Sequence, residues 1–480
     1  MKKLAILSIA ALSFGSCTKN IDHYNDQEKA AAQVPAPTLF SNAVRNLSDA
    51  VTSCNVNNNV FRLVVQHWTT TTYTGEPNYD FFTRNIPQRW WSFMYKDILA
   101  DLNECKRLIP QSIGLTAAVK TNQLAQADIM SVYAWSVLVS TFGDIPYKQA
   151  LDITNPFPVY DDAKTVCADL LARLNTAIAS LNTAEKGFDV NQDLVYGGGA
   201  FPNQTAQWVK FGNTLKIRLA MLLADVDNAT AKAAFEQADG HAFQTAADNA
   251  IFKYMSVTPN NNPVWADLIQ SKRQDFIASS TLINKLIALG DPRLYQYFRP
   301  NDNGVYAGGL NGKSNTFSLF AKASDKVATI DFPSVLLDYA EIEFYRAEAK
   351  ERGYNIYGTP EEHYNNAIRA SIKYWGGTDT DADLYLSNPD VAYSTAVGDW
   401  KEKIGMQKWI ALYNRGFETW TEIRRLDFPK LAPPAAPKSG FPTRLTYPSN
   451  EQTLNNKNYT AAAAAIGGDK VDVKLFWDKF

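Results

Sequence analysis

The sequence predicts an α-rich fold, all-α in class, with tetratricopeptide-like helical pairs, long loops and few minor strands. Three observations support this. Helical patterns of apolar residues follow one another along most of the chain, and strand-like alternation is scarce. Ala340–Gly353 with Pro360–Trp375 also reads as a helix–turn–helix unit of about 34 residues, the tetratricopeptide period, although the full residue pattern of that repeat is missing. A chain of 480 residues, 46% hydrophobic, can bury a full core.

Lys2 and Lys3 precede an apolar run, Leu4–Phe14, too short to span a bilayer and followed by Gly15-Ser16-Cys17. Residues 1–16 therefore read as a lipoprotein signal peptide, with Cys17 as the lipid-attachment residue. Each acyl chain would contribute about 0.8 kcal/mol per buried CH₂ to membrane binding. Residues 17–37 are polar, then Ala- and Pro-bearing, and read as a tether; 38–480 form the body. No later run approaches about 18 apolar residues.

In the body, helical spacing predicts helices over Leu39–Ser53, Val60–Thr70, Arg89–Leu108 and Ala118–Thr141. Trp90, Trp91, Met94, Tyr95, Ile98, Leu102 and Cys105 form one stripe, which reads as core. Phe142–Tyr147 stops the fourth helix: Gly143 can take a left-handed turn, Asp144 can bond its own backbone, and Pro146 forbids continuation. Asp161 is the expected N-cap of a helix over Ala163–Leu181. Trp208–Asp225 is helical, and Gly197–Gly199 before it is a loop, with no strand ahead and no Lys-Ser/Thr behind to make a phosphate cradle. Ile404–Leu426 predicts a single long amphipathic helix, because Met406, Ile410, Tyr413, Phe417 and Trp420 recur at steps of four and three. Arg415, Glu418, Glu422 and Arg425 then pair along its wetter face.

With 47 basic and 49 acidic residues, a net charge of −2 gives no reason to expect nucleic acid as a partner. Among the four His there is no H-E-x-x-H, and no G-x-S-x-G or Cys–His signature occurs. No catalytic residue, no cofactor and no enzyme activity are expected. Asp379, Asp381 and Asp383 echo a calcium loop weakly, since Leu384 stands where the sharp turn wants Gly; a solvated acidic loop is the expectation. Cys54, Cys105 and Cys167 are an odd number without zinc spacing, which leaves one bridge or three buried thiols open.

Two stretches carry aromatic rings that no helical stripe accounts for. Gln66–Arg84 holds Trp68, Tyr73, Asn78, Tyr79 and Arg84; Asn260–Asp275 holds Asn261, Trp265 and Arg273. Flat faces beside amides, hydroxyls and guanidinium groups suit sugar rings, and these eight residues are the ligand-binding candidates. Peptides would use similar chemistry, and for any one ring, anchoring a loop to the body explains it as well.

Several motifs resemble those of SusD/RagB outer-membrane lipoproteins, in the SusD-like branch. They are Phe142-Gly143-Asp144-Ile145-Pro146-Tyr147 followed by Pro158-Val159-Tyr160-Asp161, Trp208–Asp225, Asp291-Pro292-Arg293-Leu294, the Ala340–Gly353 run, Gln407–Arg425 with Pro429 and Leu431, Pro442–Glu451 and Lys474–Asp478. Their joint order spans nearly all of the body. The resemblance implies a helical, lipid-anchored protein on the exterior of the outer membrane. It would bind an oligosaccharide or another nutrient and deliver it to a SusC-like TonB-dependent transporter, with no reaction of its own. Its rivals are a lipid-anchored glycan hydrolase and a tetratricopeptide-type adaptor for proteins. Cys17→Ala should release the protein from membrane fractions of cells lacking the transporter, with its melting unchanged; continued membrane association would contradict the anchor.

Overall fold

The computed structural model of the chain describes residues 34–199 and 203–480. The expected signal peptide, Cys17 and most of the tether lie outside them. Pro35 precedes the first described helix, Ala36–Thr52, whose Ala36, Phe40, Val44, Leu47 and Val51 are buried, so Ala36 and Pro37 belong to the body and not to the tether. Among the described residues no helix is long and apolar enough to cross a membrane.

The architecture is α-rich, as expected. Helices pack in sequential pairs: Ala117–Phe142 with Ala163–Ser180, Asn203–Leu222 with Asn228–Asp239, Tyr339–Glu351 with Pro360–Tyr374, and Trp400–Ala411 with Gly416–Leu426. Four two-stranded antiparallel sheets are the minor strands among the described residues. Ala117–Phe142 is the central element. Its Thr116 cap accepts from Val119 N at 3.2 Å, and from Ile129 to Phe142 every residue is buried, as befits a helix apolar on all sides.

Asp162, not Asp161, caps Ala163–Ser180 by accepting from Thr165 N at 2.8 Å. Asp161 instead accepts from the backbone N–H groups of Tyr147 and Lys148, so it braces the preceding turn. Gly143 has φ +85°, and a Cβ there would lie 2.9 Å from Leu475. Asp144 accepts from Ala163 N rather than from its own turn. Cys54, Cys105 and Cys167 are free and buried.

Two predicted helices are broken. Over Val60–Thr70, only Phe61–Val64 is helical; Gln66 sits at φ 57°, and Trp68–Thr70 leaves as a strand. The expected Ile404–Leu426 helix is a hairpin of Trp400–Ala411 and Gly416–Leu426, with Asn414 at φ 68° in the turn. Gly416 is required there, since a Cβ would lie 2.6 Å from Arg62 N. The apolar stripe runs through the break: Tyr413, Phe417 and Trp420 are all core.

The charges along that hairpin are also core, which corrects the wet face expected for them. Arg415, Glu418, Glu422 and Arg425 are each at most 7% exposed. Arg218 donates to both oxygens of Glu341 at 2.7 Å, and Arg415 adds a third bond at 2.6 Å. Arg425 places two N–H groups on Glu348 at 2.5 Å each and a third on Glu422 at 2.7 Å, where Lys408 and the Tyr345 hydroxyl also donate. Four helices are thereby cross-linked through bidentate, fully desolvated pairs.

Burial alone would raise the Glu341 carboxyl, but Arg218 and Arg415 outweigh it and hold it at about 2. Burial likewise opposes ionisation of Glu348 and Glu422, and Arg425 holds both below the usual carboxylate range. Since the folded values are depressed, these groups contribute stability that is complete above their unfolded value near 4.5 and is lost as the pH falls toward about 2. Unfolding should therefore take up protons in that window, and Glu341→Gln should flatten the acid limb. Glu341→Ala, which leaves two buried guanidinium groups short of a partner, should cost about 3–5 kcal/mol by denaturant titration.

Candidate functional site

The two aromatic-rich stretches meet. Trp68–Thr70 pairs antiparallel with Phe276–Ala278, in a register that sets Trp68 opposite Ala278 and Thr70 opposite Phe276. Beyond the strand, Thr71 N donates to the Asp275 carbonyl at 3.0 Å and Thr71 Oγ1 to that of Gln274 at 2.7 Å. This pairing brings the ends of both stretches to one surface cleft of about 140 Å³, lined by Asn55, Asn57, Tyr73, Arg84, Asp267 and Arg273, with Asp275 and Phe276.

Trp68, Asn78 and Tyr79 are buried and do not line it, and the expectation of a spare ring fails for Trp68 and Tyr79. Trp68 is 1% exposed, and its Nε1 donates to the Tyr413 hydroxyl at 2.9 Å. Tyr79, at φ 67°, is buried with its edge toward Phe441, and burial raises its phenol. Asn78 ties three segments: its amide donates to the Thr74 and Gly312 carbonyls at 2.8 Å each and accepts from Ala436 N at 2.9 Å. Gly312 is needed beside it, as a Cβ there would meet Asn78 Oδ1. Asn261 and Trp265 are half-buried and do not line the cleft; Asn262, next to Asn261, caps the turn that carries Trp265.

Tyr73, Arg84 and Arg273 are the three candidates that reach the cleft. Tyr73 is 48% exposed. The Arg84 guanidinium lies 5.1 Å from its ring centroid and pairs with buried Glu76, which fixes the guanidinium against the ring. Arg273 is exposed and only loosely paired with Asp275, at 3.7 Å. Asp267, also in the lining, accepts from Asn55 Nδ2 at 3.3 Å, and burial raises its carboxyl above the usual range.

Asn55, Asn57 and Asp267 were not singled out in the sequence. The amide-rich run Asn55–Asn59 after Cys54 was the available signal, but nothing local says which amides face a cleft.

The cleft can offer a ring face, two guanidinium groups, amides and carboxylates within one concavity, a set suited to C–H stacking and bidentate hydroxyl recognition. Of the other concavities, the one lined by Phe332, Tyr374, Trp375 and Tyr413 is rich in aromatics but has only about 20 Å³ of free space, the one beside Val34–Leu39 has no aromatic lining, and the one beside Lys285–Leu289 has only Tyr364, which is buried and donates to the Val391 carbonyl.

The acidic run is a helix start and not a loop. Asp379 and Asp383 pair with Arg369, Asp379 also with Lys373, and Asp381 completes a capping box with Thr378. Among the described residues no group of three or more His, Cys, Asp or Glu is placed to hold a metal.

A family described as SusD-like, starch-binding and associating with the outer membrane matches residues 27–448 of the chain. The chain belongs to the SusD-like family. Among solved structures, a Bacteroidetes SusD-like protein (AC2a) superposes with a TM-score of 0.81 at 21% identity, over 93% of this chain and 100% of that one. A SusD homologue from Bacteroides uniformis gives 0.78 at 25% identity, over 92% and 99%. A chitin-binding SusD homologue from Flavobacterium johnsoniae gives 0.78 at 23%, over 92% and 98%. No curated protein sequence matches. This SusD-like chain thus shares its helical fold with glycan-binding proteins of the family.

Buried and lining residues should separate on mutation. Trp68→Ala should lose about 3–5 kcal/mol, as for a buried large aromatic, while Tyr73→Ala should stay within about 0.5 kcal/mol of the parent in thermal melts.

Proposed function

We propose that this SusD-like protein binds an oligosaccharide in the Tyr73–Arg84–Arg273 cleft at the outer face of the outer membrane, anchored through lipid on Cys17, and passes it to a SusC-like TonB-dependent transporter. Binding is the whole of its chemistry; it cleaves nothing. The observation that carries this reading is the convergence of an open aromatic face with two guanidinium groups in one cleft. A starch-binding family and a chitin-binding relative support a glycan as the nutrient.

Calorimetric titration against a panel of soluble oligosaccharides tests it. At least one should bind, and Tyr73→Ala should weaken that binding by roughly tenfold or more while keeping the parent melting temperature. Binding that survives Tyr73→Ala together with Arg84→Ala and Arg273→Ala would place the site elsewhere, and cleavage of any panel member would favour the hydrolase.

A further inference from the structure

His363, buried on the helix Pro360–Tyr374, has both ring nitrogens engaged. Nδ1 lies 2.8 Å from Glu343 Oε2, and Nε2 lies 2.8 Å from the Tyr357 carbonyl oxygen. A carboxylate and a carbonyl can only accept, and a neutral imidazole has a single N–H to give. Glu343 is itself ionised, since Arg346 donates to its Oε1 at 2.6 Å and Asn366 to its Oε2 at 3.3 Å. The geometry is therefore that of an imidazolium, with a proton on each nitrogen.

Both sides of this contact are built for it. Gly358 sits at φ +80°, and a Cβ there would lie 2.7 Å from His363 Nε2, so glycine is needed for the Tyr357–Gly358 tip to approach the ring. Beyond Glu343 the charges continue, because Arg346 also donates to Asp239 at 2.6 Å. Asp239, Arg346, Glu343 and His363 thus alternate in sign across three helices while His363 is charged. The other titratable groups packed around them are the Tyr339 phenol, beside Glu343, and Lys350, Glu362 and Glu236, which bond the Ile356 carbonyl, Thr359 N and Asn355 N. Of all these side-chain types, histidine is the one that changes charge near neutral pH. Burial disfavours the imidazolium, but the bonds to Glu343 and to the Tyr357 carbonyl outweigh burial and the repulsion of Arg346, and hold the ring above the ordinary histidine value of 6.5.

The Tyr357 carbonyl bond is the single hydrogen bond of Tyr357 and Gly358 among the described residues. We propose that His363 is a proton-dependent latch. Charged, it fastens the Tyr357–Gly358 tip to the helix pair Tyr339–Glu351 and Pro360–Tyr374; on losing a proton it keeps the stronger, charge-assisted bond to Glu343 and releases the tip. Because the folded value is raised, the latch is complete below about pH 6.5 and is lost as the pH rises through the folded value.

The test uses the full-length protein labelled with carbon-13 at histidine Cε1, with His363 assigned by the signal lost in His363→Gln. Its titration midpoint should lie above 6.5, and Glu343→Gln should weaken its proton affinity by about tenfold. A parent midpoint at or below 6.5, or one that Glu343→Gln leaves unchanged, overturns the latch. The tip is read separately with chymotrypsin, because Tyr357 is 92% exposed. Cleavage after Tyr357, normalised to a peptide of the same local sequence, should rise about fivefold between about pH 6 and pH 9 in the parent and stay flat in His363→Gln. Equal pH dependence in the two proteins overturns release of the tip. If neither variant folds, the parent alone decides: normalised cleavage that does not rise over that range overturns the proposal.

Discussion

An ion network around Glu341, Glu348 and Glu422 ties the Trp400–Leu426 hairpin to the helices that carry Arg218 and Glu341. Removing such charges from water is costly, and attraction offsets that cost only when each partner sits within hydrogen-bond distance. Glu341 needs Arg218 from one helix and Arg415 from the hairpin turn; Glu422 needs Lys408 and Arg425 from the two arms of that hairpin. A shift of any of these helices leaves a charge buried without its partner. The network thus contributes fixed geometry more than net stability, and it fixes the hairpin Trp400–Leu426 against the remaining pairs.

That hairpin in turn holds segments that lead into the cleft. Arg62, itself buried, donates to Asn414 in the hairpin turn and to the Thr52 and Ser53 carbonyls, joining the turn to the end of the first helix just before Asn55. Trp409 Nε1 donates to the Val65 carbonyl, and Tyr413 receives the Trp68 N–H. His67 lies between them, against Trp409 and Tyr413, and burial lowers it to about 3, so it stays neutral there. The two segments that begin at Asn55 and at Thr71 therefore issue from a rigid support. Ligand-facing groups on loops gain their precision this way.

Much of the fold was legible because helical periodicity survives in sequence whenever a helix keeps one apolar face; Ala117–Phe142 and Tyr339–Glu351 differ from expectation by a residue or two at their ends. The break at Leu412–Arg415 was hidden because the apolar stripe continues across it, with Tyr413 and Phe417 in one core. The hairpin charges were misread for a related reason. Spacings of three and four suit a surface ladder and a buried network equally, and the partners that decide between them, Glu341, Glu348 and Arg218, lie on other helices. In the site, both stretches were recognisable from aromatics without a stripe. Sorting Tyr73 from Trp68 and Tyr79 required the pairing of Trp68–Thr70 with a strand some two hundred residues away, which no local pattern encodes.

As proposed, a preformed cleft between three loops receives the glycan, and a structure of the protein bound to an oligosaccharide selected by titration tests this. Such a structure should show a sugar ring against the open face of Tyr73, hydroxyls within hydrogen-bond distance of Arg84 or Arg273, and a backbone displaced by no more than about 1 Å around Asn55–Asn57 and Asp267–Phe276. A sugar seated elsewhere on the molecule, with the cleft holding only solvent, would contradict it.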